Sequence, residues 1–148
     1  MLDITKTIVV IEDDMAQIGL MQEIVKDLCL DVELKAFASG KEYLQYKNET
    51  MICPSLIILD LVLPREDGLT ILKQLRQELP MFTPIIIWTS STSRMDLLRA
   101  YQYGATAFVI KPYNLDELFK KIAATIVFWF GVAEPPGKLG EDKWAKLT

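Results

Sequence analysis

Four short apolar runs, each ending abruptly in polar residues, limit what this chain can fold into. Ile8-Val-Val-Ile11 gives way to Glu12-Asp13-Asp14, and Ser55-Leu-Ile-Ile-Leu59 gives way to Asp60. Ile85-Ile-Ile-Trp88 gives way to Thr89-Ser90-Ser91, and Ala107-Phe-Val-Ile110 to Lys111-Pro112. Runs this short, aliphatic and bounded by proline or polar clusters read as strands buried on both faces. Such strands belong to parallel sheets, whose crossover helices cover them.

The segments between the runs carry the helical signal that crossovers need. A helix is expected from about Met15 to Cys29, with Ile18, Met21, Ile24, Val25 and Leu28 on one face. Asp14 is placed to cap it, with Gln17 three residues on. Val32–Ala36 reads as a short strand, and Ser39–Asn48 as a helix with Tyr43 and Leu44 inward. Gly68–Glu78 reads as a helix stopped by Pro80, with Gly68 allowing the turn into it. Ser93, with Asp96 three residues on, starts a helix ending near Gly104. Asn114 with Glu117 starts a last helix that runs to about Phe130. Five strand–helix units imply an α/β fold, a doubly wound parallel sheet with helices on both faces. At 148 residues and 51% hydrophobic composition the chain suits one domain with one sizeable core. Gly131–Gly140, with Pro135-Pro136-Gly137, reads as an extended tail, and Glu141–Thr148 has room for a short helical turn at most.

Several function classes drop out. The net charge is −4 with acids and bases interspersed, so no basic stripe points to nucleic acid. The longest apolar stretch, Ala123 to Phe130 and on to Ala133, is well short of the ~20 residues of a membrane span. No basic segment followed by an apolar one opens the chain, which points to the cytoplasm. Cys29 and Cys53 lie in or beside apolar runs and are expected to be small buried thiols. The chain has no histidine. That excludes a Ser-His-Asp or Cys-His mechanism, a His-ligated zinc and a phosphohistidine within this polypeptide.

In open α/β sheets ligands bind outside the carboxyl ends of the strands. Acids, a hydroxyl and a lysine would meet there. Each has a plainer reading alone. Asp60 could be a turn residue, and Glu12-Asp13-Asp14 could be acids favoured by a helix N-terminus, which explains Asp14 best. Thr89 could be a loop hydroxyl, Lys111 a surface lysine and Phe108 a core aromatic. The ordered set is more specific than any member.

That set resembles the receiver domain of two-component response regulators. The matching residues are Glu12-Asp13-Asp14, Asp60, Leu63-Pro64 with Asp67-Gly68, Pro84, Thr89 and Lys111-Pro112, and the likeness spans residues 5–130. The resemblance implies a flavodoxin-like (βα)5 sheet of order 2-1-3-4-5, followed by a tail over 131–148 without an output domain. It implies a phosphoacceptor switch rather than an enzyme, with Asp60 taking a phosphoryl group from a sensor histidine kinase or a histidine phosphotransfer protein. Aspartate can form an acyl phosphate, but attack on an anionic phosphoryl group needs charge neutralisation. By resemblance, Asp13 and Asp60 bind Mg²⁺ or Mn²⁺ directly, Glu12 does so through water, and the Val62 backbone carbonyl is a third ligand. Lys111 pairs with Asp60, Thr89 holds a phosphoryl oxygen, and Phe108 turns inward when Thr89 moves. A cis bond is implied at Lys111-Pro112. Val62, unlike an amide, cannot hold the hydrolytic water, which implies slow self-dephosphorylation. The readout is the face of the fourth helix, fifth strand and fifth helix.

The last helix is unusually apolar. Leu115, Leu118, Phe119, Ile122, Ile126 and Phe130 can line one face, and Val127, Phe128 and Trp129 add apolar surface outside it. Such a helix must be covered, either by the tail folding back or by a homodimer involving Phe119, Phe128 and Trp129. The Phe-Trp pair before a short Pro-containing tail resembles stand-alone regulators paired with bacterial phytochrome kinases. Two rivals stay open: a receiver-like interaction module that works without phosphorylation, and an α/β enzyme using an aspartyl phosphate or a flavin. The enzyme reading lacks an acid at position 62 and a Gly-rich loop after the first strand.

Overall fold

A computed structural model describes residues 4–50 and 52–134. Numbering the strands of the main sheet, the order is β1 Ile4–Ile11, α1 Met15–Asp27, β2 Glu33–Phe37, α2 Gly40–Thr50, β3 Cys53–Leu59, α3 Gly68–Glu78, β4 Ile85–Thr89, α4 Arg94–Gln102, β5 Ala107–Ile110 and α5 Leu115–Val127. A five-residue π turn, Phe128–Val132, extends α5. All strand pairs in the main sheet are parallel, in spatial order β2-β1-β3-β4-β5. A small antiparallel ladder in the β3–α3 loop pairs Val62 with Asp67 and Leu63 with Glu66.

The strand pleat sorts the core into two layers. Val9, Ile11, Ile57, Leu59, Ile85 and Ile87 pack with Leu72, Leu75 and Ala100 on the side of α2, α3 and α4. Ile8, Val10, Leu56, Ile58, Ile86 and Trp88 pack with Met21, Ile24, Ile122 and Ile126 on the side of α1 and α5. Every residue of β3 and β4 is buried, as central strands require, whereas β2 and β5 lie at the edges and are only partly covered. This is the doubly wound α/β sheet expected from the runs.

The helix starts follow local chemistry. Asp14 accepts from Ala16 N and Gln17 N, and its second oxygen from Gln17 Nε2. Ser39 Oγ accepts from Glu42 N while Glu42 Oε2 accepts from Ala38 N, so side chains satisfy two backbone donors at the start of α2. Asn114 caps α5 through Asp116 N and Glu117 N. Gly104 follows α4 at φ +99, a left-handed turn that glycine adopts without penalty.

Four expectations are corrected. Cys53 is buried but Cys29 is exposed; it sits beyond the α1 C-cap at φ 50, where the chain turns away from the core. The described residues contain no cis peptide bond, so Lys111-Pro112 is trans; the Lys111 side chain is aimed by strand register and carboxylate contacts instead. The apolar stripe of α5 splits: Ile122 and Ile126 are buried and Leu118 and Phe130 pack partly against the same layer, whereas Leu115 is 70% and Phe119 39% exposed. Gly131 and Val132 belong to the π turn and not to an extended tail. The expected tail features from Pro135 onward lie outside the described residues.

Candidate functional site

The carboxyl ends of β1, β3, β4 and β5 gather a compact charged cluster. Asp60 N donates to Ile11 O, which aligns the end of β3 with the end of β1. Glu12 N donates to Phe37 O, and Lys111 N donates to Thr89 O, so neighbouring strand ends are fixed to each other by backbone. Glu12, Asp60 and Thr89 are buried, and Asp13 faces solvent.

Lys111 Nζ lies 2.8 Å from Glu12 Oε2 and 2.9 Å from Asp60 Oδ2. Its ammonium therefore bridges two buried carboxylates. The second oxygens of both acids are also occupied: Asp14 N donates to Glu12 Oε1 at 3.1 Å and Val62 N donates to Asp60 Oδ1 at 3.0 Å. Val62 thus meets Asp60 through its N–H. Glu12, Asp13 and Asp60 each offer a carboxylate oxygen within 4.8 Å of the others. Three hard oxygen donors at that spacing, with one acid facing water, fit a hard divalent cation that keeps several waters.

The electrostatics agree with a site poised for added positive charge. Burial is the largest influence on Glu12 and, with the Asp60 charge, it outweighs Lys111 and pushes the carboxyl up to about 7. Burial opposes the charge of Lys111, but its bonds to Glu12 and Asp60 prevail and hold the ammonium above its ordinary value. A cation must displace the proton that Glu12 holds below about pH 7. Mg²⁺ affinity measured by calorimetry should therefore fall as pH drops below about 7, approaching about tenfold per unit for one displaced proton. An affinity flat between about pH 6 and 8 would remove Glu12 from the cation site.

Thr89 ends β4 with its side chain fully buried, and its Oγ1 accepts from Ser91 N at 3.1 Å. Phe108 lies on edge strand β5, packed against the α3–α4 layer and away from the carboxylates. Its N–H donates to the Tyr101 hydroxyl at 3.2 Å. Phe128 is 50% exposed and stacks edge-on against Trp129, which packs partly into the α1–α5 layer. The structure therefore brings together Glu12, Asp13, Asp60 and Lys111, with Thr89 one strand over. Phe108, Phe119, Phe128 and Trp129 stand apart from them.

Three supports were not read from the sequence. Glu66 accepts from Gly40 N and Lys41 N, tying the β3–α3 loop to the start of α2. Gln17 Oε1 accepts from Trp88 Nε1. Ser91 Oγ donates to Asp96 Oδ2 at 2.6 Å. The Ser93–Asp96 spacing signalled a cap, but no local pattern signals the other two.

The response regulator receiver domain model matches residues 8–123. The chain is 30% identical over 139 residues to the response regulator Rcp1 of Synechocystis sp., covering 88% of this chain and 93% of that protein. The crystal structure of the Mn(2+)-bound form of Rcp1 aligns with a TM-score of 0.82 at 29% identity, over 89% of this chain and 99% of that one. The phosphorylated cyanobacterial phytochrome response regulator RcpA aligns at 0.80 and 27% identity, over 88% and 97%. With residues 8–123 matched and the likeness to Rcp1 spanning most of both proteins, the chain belongs to the response regulator receiver domains of two-component systems, regulatory switches that bind a divalent metal and are not classical enzymes.

Proposed function

We propose that this receiver, residues 5–130, accepts a phosphoryl group on Asp60 from a sensor histidine kinase or a histidine phosphotransfer protein. The observation that carries the reading is Lys111 Nζ held within 2.9 Å of both Glu12 and Asp60 at adjacent strand ends. An Asp60 carboxylate oxygen attacks phosphorus, the donor's P–N bond breaks, and its electron pair returns to the imidazole. The product is an acyl phosphate on Asp60. Lys111 can then turn from the carboxylate to a phosphoryl oxygen, keeping the ammonium against negative charge throughout. Thr89 Oγ1, which accepts from Ser91, retains its own proton to donate to another phosphoryl oxygen. Glu12, Asp13, Asp60 and the Val62 carbonyl would hold Mg²⁺ or Mn²⁺, which supplies positive charge against the repulsion of the incoming phosphoryl group. Val62 offers no side-chain hydrogen bond to a hydrolytic water, so the acyl phosphate turns over slowly without a partner.

The switched surface is the α4–β5–α5 face, where Met95, Leu98, Tyr101, Phe119 and Phe128 are exposed. Apolar side chains grouped on α4, α5 and the π turn beyond it suit a second copy of this chain. We read the protein as a cytoplasmic homodimer that uses this face and does not bind nucleic acid. RcpA is named a cyanobacterial phytochrome response regulator; by that likeness the donor here is a phytochrome-type kinase.

Phosphotransfer from the purified sensor kinases of the source organism tests the reading, with Asp60→Asn as control. One kinase should lose its label to the wild-type chain within seconds to minutes and none to the variant. The phosphorylated sample should sediment as a dimer. Absence of transfer, or equal labelling of the variant, would refute the phosphoacceptor. The same exposed face also favours a second reading, a module that dimerises irrespective of phosphate. An Asp60→Asn chain that sediments as a dimer would select it.

A further inference from the structure

The helix α4 is held to the fold by polar ties more than by apolar packing. Of its nine residues only Ala100 is buried, whereas five residues of α3 are. Met95, Leu98 and Tyr101 face solvent. A helix with so little buried apolar surface gains little from staying in one place. What fixes it is a small set of hydrogen bonds. Beyond its C-terminal end Arg76 Nε donates to Gly104 O at 2.7 Å. In its last turn the Tyr101 hydroxyl accepts from Phe108 N. At its start Ser91 Oγ donates to Asp96 Oδ2 at 2.6 Å.

The last tie differs from the others because it continues into the site. Ser91 also donates its backbone N–H to Thr89 Oγ1 at 3.1 Å, and its Oγ accepts from Ser93 N at 3.2 Å. Two bonds thus run from the Asp96 carboxylate through one serine to the buried hydroxyl beside the phosphoacceptor. In this conformation of the loop the serine satisfies Asp96 and Thr89 together. The bond to Asp96 is charge-assisted and short, which makes it the stronger member of the chain.

We propose that Asp96 is a positioning residue: by holding Ser91 it locks the Thr89 hydroxyl and the start of α4 into one unphosphorylated arrangement. The link to signalling rests on the reading of Asp60 as phosphoacceptor, but the lock itself does not. When Thr89 is drawn toward a phosphoryl oxygen, the loop must move, and the Ser91–Asp96 bond is what opposes it. Breaking that bond leaves α4 attached by its other ties and enlarges the population already arranged for phosphate.

The test uses Ser91→Ala, Asp96→Ala and the double variant of the full chain. Amide hydrogen exchange of residues 94–102 is measured first in an Asp60→Asn background, where no phosphoryl chemistry can intervene. Each single variant should speed exchange about tenfold, as expected for loss of one hydrogen bond to a charged group. The double variant should fall well short of the product of the two effects, because both changes cut the Ser91–Asp96 bond and differ only in the Ser93 N–H bond and the helix-start charge that each removes alone. Ser91→Thr keeps the hydroxyl and should exchange at the parent rate. Ser91→Ala preserves the acid in the first turn of α4, so it separates the lock from any effect of charge on the helix dipole. Unchanged exchange, or additive effects of the two substitutions, would overturn the lock.

The second arm measures phosphorylation by acetyl phosphate with Asp60 intact, which needs no kinase docking. Ser91→Ala and Asp96→Ala should raise the initial rate by up to about tenfold, the same factor as the exchange. Faster exchange with an unchanged rate would overturn the connection to Thr89. If the parent chain itself takes up no phosphate, the phosphoacceptor reading fails and the exchange data alone decide the lock.

Discussion

Lys111→Met should lower stability by about 2–4 kcal/mol at about pH 8 and by much less at about pH 6. The lysine side chain is 10% exposed and faces two carboxylates that are 2% and 6% exposed. Methionine fills similar space but brings no charge, so two buried acids would face each other alone. Desolvation and mutual repulsion then act without compensation. Relief comes from protonation. Burial already pushes Glu12 up to about 7 against the lowering pull of Lys111, and the variant removes that pull. An acid whose folded pKa exceeds its unfolded one binds more protons when folded. Stability therefore falls as pH rises from about 4.5 through the folded value, and levels off above it. In the wild type that fall ends near pH 7; in the variant it continues further up. Urea melts at the two pH values should show a steeper pH dependence for the variant. Mg²⁺ should recover much of the loss at the higher pH, since it replaces the missing charge and binds only the folded site. A loss equal at both pH values and indifferent to Mg²⁺ would mean that Lys111 acts by packing alone.

The elements legible in the sequence are those whose signal is local. Strands β3 and β4 are buried on both faces, so their runs are uninterrupted, and the polar residue ending each run marks the sheet edge where the site lies. Helix caps are equally local, and Asp14, Ser93 and Asn114 cap as their spacing indicates. What was not legible depends on distant partners. β1 begins at Ile4, earlier than its apolar run, because Ile4 and Thr5 pair with Cys53 and Pro54. Cys29 lies beside apolar residues yet ends exposed, because the turn after α1 and not composition sets its direction. The site shows the same division. That acids, a hydroxyl and a lysine share one edge follows from the strand ends. That Lys111 reaches Glu12 as well as Asp60 joins residues 99 apart in sequence, and no periodicity carries such a pairing.

Gly68→Ala should be the most damaging exchange of a single hydrogen for a methyl among the described glycines. Gly68 is not at positive φ, so the turn into α3 does not need glycine for its dihedrals. It needs glycine for space. A Cβ there would lie 2.3 Å from Leu61 Cα and 2.8 Å from the carbonyl oxygens of Asp60 and Leu61. All three are backbone atoms, so no side chain can swing aside. Gly68 N also donates to Leu61 O, which holds the two segments at that separation. Either α3 slides off its buried face or the loop after Asp60 moves. Overpacking of this kind costs about 1–3 kcal/mol where side chains can yield, and backbone contact places this case at or above the upper end. Gly19→Ala is the matched control. Nothing lies within 4 Å of its Cβ and the residue is within α1, so helix propensity alone should stabilise it by about 0.5–1 kcal/mol. Thermal melts should therefore move in opposite directions for the two variants. The clash also falls on the peptide that carries Asp60, the proposed phosphoacceptor. Acetyl phosphate labelling of Gly68→Ala should stay more than about tenfold slow even at temperatures where circular dichroism shows it fully folded, because a displacement of about 1 Å at a reacting group costs that much or more. A folded Gly68→Ala chain that labels at the wild-type rate would confine the glycine to the fold. A slow one would make the close approach of α3 to Leu61 the feature that sets where Asp60 points.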